Sequence, residues 1–419
     1  MRRVRAQARK SQSVPKEQEE AGVALAENPV PVAMIQALIP LGLQAVHDAL
    51  QQEVTQLAGS RYARDDGRPH MVRWGQQAGS VFLADQKVPL HVPRVRDLAQ
   101  HREIPLPTYQ QLQTPRALDE GLFRRVLGGL SCREYGRAAE MVPEAFGLAK
   151  SSVSRRFQRV SARSLRALQE RRLDDAQWLV LVLDGKSFAA DQVVVALGVT
   201  TKGEKRILGL VQTASENKRV CANFLRELID RGFAPTARLL VVVDGAKGLR
   251  AAVAEVFGSR AEVQRCQWHK RENVVSYLPK GQQIIWRRKL QAAYAKPSYP
   301  EAKQALMRLE RELRLCNASA AASLLEGLEE TLTLHRLGVF AALGVSFKTT
   351  NLLESVMARV EARTGRVDYW RTSDQKLRWS AASLLAIEAQ FRRVKGYQKL
   401  HLLEKALQSK ITTSIRDAA

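Results

Sequence analysis

The segment Leu239-Leu240-Val241-Val242-Val243-Asp244-Gly245-Ala246-Lys247-Gly248-Leu249 decides how this chain folds. A short apolar, β-branched run closed by Asp-Gly reads as a buried strand whose carboxylate emerges at its C-terminal end. The same pattern occurs 60 residues earlier, in Trp178-Leu179-Val180-Leu181-Val182-Leu183-Asp184-Gly185-Lys186. A third acid, Glu354, follows 110 residues after Asp244, in Thr349-Thr350-Asn351-Leu352-Leu353-Glu354-Ser355. Two strand ends side by side, joined by a third carboxylate, can hold two hard cations. Oxygen ligands suit magnesium, and a metal pair about 3.5–4 Å apart suits in-line attack on a phosphodiester.

Around these runs the pattern predicts strands at 178–183, 192–199, 206–212, 238–243 and 262–266. The turn Thr200-Thr201-Lys202-Gly203-Glu204 makes the second and third an antiparallel hairpin. Helices over Asn223 to Arg231 and Lys247 to Phe257 alternate with the later strands, which favours parallel pairing. The expectation is an α/β fold with a mixed sheet flanked by helices. Residues 272 to about 345 are rich in Arg, Lys, Leu and Ala and read as helical. More helices follow Glu354, with Trp370, Trp379 and the basic group Arg392-Arg393-Val394-Lys395.

The chain has 419 residues, too many for one ordinary domain, and its 45% hydrophobic content can bury a real core. Its formal charge of +24 seeks a polyanion, of which nucleic acid is the first candidate and a membrane surface the competitor. The best candidate for a membrane span, Val30 to Val46, is short and broken by Pro31 and Pro40. Met1-Arg2-Arg3-Val4-Arg5 has no apolar stretch behind it, so it is not a secretory signal; residues 1–29 read as a flexible basic arm or, equally, a solvated disordered tail. Four scattered cysteines (Cys132, Cys221, Cys266 and Cys316) form no paired framework and fit a reducing compartment.

Toward the N-terminus, residues 30–60 have helical spacing through Ile35, Leu38, Ile39, Leu43 and Val46, with a kink or split expected at Pro40 and Gly42. From Met71 to Pro93 three short strands around turns are expected, followed by Arg94-Val95-Arg96: either a module touching DNA backbone or a structural hairpin. Residues 117–172 read as helices. A helix start at Ser131-Cys132-Arg133-Glu134, a turn at Pro143 to Leu148 and a second, serine-capped helix from Ser151 together describe a helix-turn-helix. Ser151 and Ser152 can meet phosphates, and Arg155, Arg156, Arg159, Arg163 and Arg166 can reach phosphates or guanine edges. The alternative is a basic amphipathic helix packed on the next domain.

Four motifs then agree in order and spacing: Asp184-Gly185-Lys186, the Asp244 to Leu249 stretch, Val263-Gln264-Arg265-Cys266-Gln267-Trp268-His269-Lys270, and Thr349 to Ser355. Together they resemble the mutator-type transposases of bacterial insertion sequences, over roughly residues 117–400. The resemblance implies a ribonuclease-H-like core interrupted by an α-helical insertion. It makes Asp184, Asp244 and Glu354 a DDE triad holding two Mg2+ (or Mn2+) ions. It implies cleavage of double-stranded DNA at terminal inverted repeats, strand transfer to target DNA, a homodimer or larger assembly on DNA, and a cytoplasmic, nucleoid-associated location.

Cys266 and His269 match the family's Cys-x-x-His signature. His269 either orients a carboxylate or phosphate at the site or is a helix-start histidine satisfied by backbone; a zinc site lacks its second Cys/His pair. Thr213-Ala214-Ser215-Glu216 resembles another landmark, with Glu216 supporting the site or capping a helix. Lys186 and Lys247 either meet phosphates or are solvated; Thr349, Thr350 and Asn351 cap the following helix, aim Glu354 or touch the DNA end. The expected division is 1–29 tail, 30–116 helix plus β-module, 117–172 helix-turn-helix, 173–271 first part of the core, 272–345 insertion and 346–419 core completion. The rivals are a helix-turn-helix regulator without catalysis, a structure-selective nuclease of the same fold and, more weakly, a covalent serine or tyrosine recombinase.

Overall fold

The computed structural model describes residues 29–62, 70–83, 86–113, 116–130, 150–188, 191–213, 217–365, 367, 370 and 372–417. The basic tail, Cys132, the first helix and turn of the expected helix-turn-helix, and Glu216 lie outside the described residues. The chain divides into two compact units, one formed by the N-terminal region to Gln113 and one by most of the remainder.

In the first unit a helix runs unbroken from Pro29 to Ala58, so Pro40 and Gly42 neither split nor end it. It is followed by the strands β1 (Met71–Leu83), β2 (Gln86–Asp97) and β3 (Arg102–Ile104), in spatial order β1-β2-β3. The three short strands expected between Met71 and Pro93 are thus parts of two long ones. Gly75 keeps a left-handed φ of +73° inside β1, and Gly79 is where a strand needs no side chain. A Cβ there would sit 2.6 Å from Val92 Cγ2 and 2.7 Å from the Tyr109 hydroxyl. Val46, Leu50, Val54, Val81, Val92 and Val95 form this unit's core.

The second unit is built on β4 (Trp178–Phe188), β5 (Asp191–Thr200), β6 (Lys205–Thr213), β7 (Pro235–Val243) and β8 (Ala261–Arg265), in spatial order β6-β5-β4-β7-β8. β4, β5 and β6 pair antiparallel, whereas β4 with β7 and β7 with β8 pair parallel. The expected mixed sheet is therefore present. Alternation along β4 sends Leu181 and Leu183 to one face, against the helices Lys218–Asp230 and Lys247–Phe257. Val180 and Val182 face the other way, against Leu353, Val356, Met357 and Val360 of helix Asn351–Thr364 and against helices Ser373–Glu388 and Leu400–Asp417. With both faces covered, the strands read as continuous apolar runs.

Between β8 and Glu354 the chain is helical from Gln267 onward, through Lys280–Tyr294, Tyr299–Cys316, Ala318–Leu325 and shorter turns to Phe347. Val274, Trp286, Leu290, Leu306, Leu313, Leu324 and Leu332 form a core separate from the two that cover the sheet. The helix Lys150–Glu170 already includes Ser151 and Ser152, which sit in its first turn and are not its cap. Its apolar stripe (Val153, Phe157, Val160, Leu165 and Leu168) is buried. Phe157 stacks on Phe123 and leans on Trp379 at 4.5 Å between ring centroids.

Candidate active site

Asp184 lies where β4 loses one neighbour. The parallel register with β7 ends at Leu183↔Val243, while pairing with β5 continues through Asp184↔Val195 to Phe188↔Asp191. Asp184 is thus inside a strand, not at its end: the hairpin partner carries β4 four residues beyond the acid. It is only 6% exposed. Asp244 follows Val243, the register partner of Leu183, directly, so the two acids stand at one level on adjacent segments, and parallel neighbours lie about 4.8 Å apart. Both continue the alternation of the face that packs helix Asn351–Thr364, through Val180 and Val182 in β4 and Leu240 and Val242 in β7.

Glu354 sits in the first turn of that helix. The Thr350 hydroxyl, fully buried, donates to its Oε1 at 2.8 Å. The Thr350 side chain does not cap the helix; it aims the carboxylate. Asn351 is exposed, and its backbone N–H donates to Thr349 Oγ1.

Two backbone hydrogen bonds join the motifs. The Cys266 N–H donates to Val243 O at 2.7 Å, and the Gln267 N–H donates to Lys348 O at 3.0 Å. The start of helix Gln267–Ser276 is thereby fixed both to the end of β7 and to the loop before Glu354. The result is a close cluster: the ligand atoms of Cys266, His269 and Glu354 lie within 4.8 Å of one another. Burial of His269 disfavours its charged form, but the hydrogen-bonded Cys266 and the Asp184 and Glu354 carboxylates outweigh burial and raise its pKa to about 9. His269 is therefore close enough to feel both acids, and its Nδ1 lies 3.5 Å from Thr350 Oγ1. The purely backbone-satisfied alternative for this histidine does not describe its surroundings.

Other expected residues stand apart. Lys186 is partly exposed, and its ammonium pairs with the exposed Glu361 Oε2 at 2.5 Å. Lys247 is exposed at the first position of its helix. Along helix Lys150–Glu170, Ser151, Arg155, Arg159 and Arg163 are exposed and Ser152 and Arg156 partly so, on the side away from the buried stripe. Arg155 also donates to Ser151 O.

Sequence reasoning missed Arg265. Its guanidinium is buried and donates to Gly245 O at 3.1 Å, to Glu326 O at 3.2 Å and to the Glu326 carboxylate at 3.1 Å. Gly245 has φ +102°, and a Cβ there would fall 2.1 Å from Arg265 Nε. Arg265 and Gly245 together fix the turn that carries Asp244, whose Oδ1 accepts from the Ala246 N–H at 2.9 Å. The signal in the sequence was Asp-Gly, a residue pair that supplies a left-handed turn. Nothing local pointed to its arginine partner.

Asp184 and Asp244 leave the sheet on the face that packs the Glu354 helix, and carboxylate oxygens are hard donors of the kind that suit divalent ions such as Mg2+ or Mn2+. Cys266 and His269 add a soft sulfur and an imidazole within 4.8 Å of the Glu354 carboxylate. Over residues 27–391 the sequence matches the family described as Transposase, Mutator family. The transposase for insertion sequence element IS6120 of Mycolicibacterium smegmatis is 29% identical over 245 residues, 57% of this chain and 74% of that protein. The transposase for element IST2 of Acidithiobacillus ferrooxidans is 33% identical over 174 residues, so that the match spans 42% of this chain and 57% of that relative. The transposase for element IS406 of Burkholderia multivorans is 27% identical over 395 residues, 88% of this chain and 97% of that protein.

Proposed function

Because the chain belongs to the Mutator family of transposases, we propose that it binds the terminal inverted repeats of an insertion sequence and cuts and joins DNA strands by a two-metal DDE mechanism. The observation that supports this reading most is the convergence of Asp184 and Asp244, from adjacent strand positions, on the sheet face that carries the Glu354 helix. The sheet order β6-β5-β4-β7-β8, antiparallel then parallel, supports a ribonuclease-H-like core.

In this reading Asp184, Asp244 and Glu354 hold two Mg2+ or Mn2+ ions. When bound, such ions make an attacking oxygen more nucleophilic and stabilise the leaving oxygen. The protein's own groups do the positioning. Thr350 fixes one Glu354 oxygen, Arg265 and Gly245 fix the Asp244 turn, and His269, whose charged form Cys266 and the two carboxylates favour, lies beside the acids where a phosphate enters. Carboxylates serve as ligands and not as nucleophiles, so no protein–DNA covalent bond forms. The exposed arginines of helix Lys150–Glu170 contact DNA backbone or base edges. The high positive charge makes binding strongly salt-dependent. Element ends are processed in pairs, so the working assembly is at least a dimer.

The test is cleavage of a duplex carrying the element's terminal repeat, with and without Mg2+. Asp184→Asn, Asp244→Asn and Glu354→Gln are each expected to reduce nicking to background while retaining end binding. A variant that nicks at the wild-type rate removes its residue from the triad. Metal-independent cleavage, or a trapped covalent adduct, defeats the mechanism.

A further inference from the structure

Trp268 is 44% exposed although it stands next to His269, on which its ring rests edge-on at 4.8 Å. The indole is thus open to solvent beside the partly buried cluster of Cys266, His269 and Glu354. It lines a cleft of about 210 Å³ with Arg271, Gln291, Tyr294, Lys348 and Thr349, too narrow to admit a duplex. Two walls of this cleft belong to the candidate active site. Trp268 adjoins His269, and Thr349 adjoins the Thr350 that aims Glu354. The cleft is cationic as well as aromatic. Arg271 is held in place by Glu272 and Gln291, while Lys348 is exposed and its ammonium has no ion-pair partner among the described residues. Its backbone carbonyl accepts from the Gln267 N–H, which ties the lysine to the start of the helix that presents the indole.

We propose that this cleft binds one unpaired nucleobase of the DNA strand being processed, stacked on Trp268, with Lys348 on the adjoining phosphate. The proposal rests on the DNA-processing reading above and extends it to a site that none of the three acids forms. A planar aromatic face with a nearby cation suits a base followed by a phosphate, because every base has a π face and stacking is tolerant of sequence. A net charge of +24 argues for a polyanionic occupant over an apolar segment of another protein. The position one residue from His269 places the base next to the phosphate that reaches the acids. A strand melted or frayed at the cut is thus held by its base as well as by its backbone.

The experiment uses the full chain and two probes that differ only in the base: a duplex with a short thymidine 3′ overhang, and the same duplex with an abasic overhang. Trp268→Ala is expected to weaken binding of the thymidine probe about tenfold, to leave the abasic probe unchanged, and to be largely rescued by Trp268→Phe. Lys348→Ala is expected to weaken both probes alike. Equal affinity of Trp268→Ala and the wild type for the thymidine probe overturns the proposal. So does an equal loss on both probes, which makes the ring structural, and so does failure of Phe to rescue. Cleavage is read separately, in the metal-dependence assay of the proposed function. Loss of metal-dependent cutting with the base-dependent term intact would defeat the catalytic reading alone, and wild-type protein that binds neither probe would defeat both.

Discussion

Trp178 to Leu183 of β4 is no more than 1% exposed at any position, because helices cover both faces of the five-stranded sheet. In β1 of the three-stranded sheet, Trp74 to Ala78 are exposed and Val81 is completely buried. Charge is handled differently in the two. In the larger sheet Asp184 and Asp244 appear where the apolar runs stop, and the one other buried acid within its described strand residues, Glu262 of β8, is paired with Arg238 and Arg336. In the smaller sheet the charges are dispersed along the strands and answered locally: Arg94 pairs with Glu103, Arg73 donates to Gly59 O, and Arg96 lies over the Trp74 ring at 4.8 Å. The two-sided sheet keeps its few inner charges in buried pairs and places two acids where its central strands lose their apolar run, whereas the one-sided sheet carries its charges on an exposed face. That contrast can be broken at several points.

The largest effect is expected at the buried end of the contrast. Gly245→Ala forces a left-handed φ on a residue with a Cβ and drives that atom into Arg265. A cost of about 1–3 kcal/mol in stability is expected, with a fall in strand cleavage of about 10–100-fold, the size seen when outer positioning groups are removed. Arg265→Met removes the clash partner and also the bond to Gly245 O. It should lose cleavage to a similar degree while end-repeat affinity is kept, as read by thermal melting alongside single-turnover cleavage. If both variants cleave normally, the Asp244 turn needs no support.

This pair of residues also marks how far the sequence could be read. The β7 run, the antiparallel hairpin and the helix Lys247–Phe257 were legible because a two-sided sheet demands unbroken apolar residues and a helix its own period. Asp184 and Asp244 stood out because each ends an apolar run, whereas Glu354 sits in the first turn of a helix and was singled out by its motif. The partners of Arg265 lie 20 and 61 residues away, a distance over which pattern carries no information. The same is true of Lys186, whose Glu361 is 175 residues distant. β1 was misread for another reason. Gly79 looks like a turn residue, but it is a close-approach residue beneath Val92 and Tyr109, and one letter serves both uses. The reach of the apolar pattern also set the apparent end of β4 at Leu183, since its continuation to Phe188 depends on pairing with β5.

A smaller effect is expected from Lys270, which is fully buried beside the site. Its ammonium donates to Ser323 O and, at 3.2 Å, to the Glu326 carboxylate that it shares with Arg265. Burial, aided by the neighbouring Arg265 charge and opposed by Glu326 and Glu330, lowers its pKa to about 8. Below pH 8 both folded and unfolded chains carry the proton, and the folded state bears the full penalty. Between about pH 8 and 10.5 the folded chain loses the proton first, so the unfolded state binds more protons and stability rises with pH. The gain contributed by this group is at most about 3 kcal/mol. Denaturant melts at pH 7.5 and 10 should show this increment in the wild type and not in Lys270→Met. Parallel pH dependence in the two proteins would mean that Lys270 is solvated in a way the fold does not provide for.

The smallest effect is expected in the three-stranded sheet. Arg96→Ala removes one cation from an exposed tryptophan face, worth about 0.5–1 kcal/mol. If the contrast between the two sheets holds, this charge is occupied within its own unit, and affinity for end-repeat DNA at physiological salt should change less than about twofold. Arg96→Lys should recover most of the stability, since an ammonium can also sit over the Trp74 ring. A clear loss of DNA affinity, recovered by lysine and weakened by added salt, would instead assign the β-module to the DNA backbone. The dispersed charges of the smaller sheet would then serve binding as well as folding, and the division of labour between the two sheets would be one of partner and not of burial.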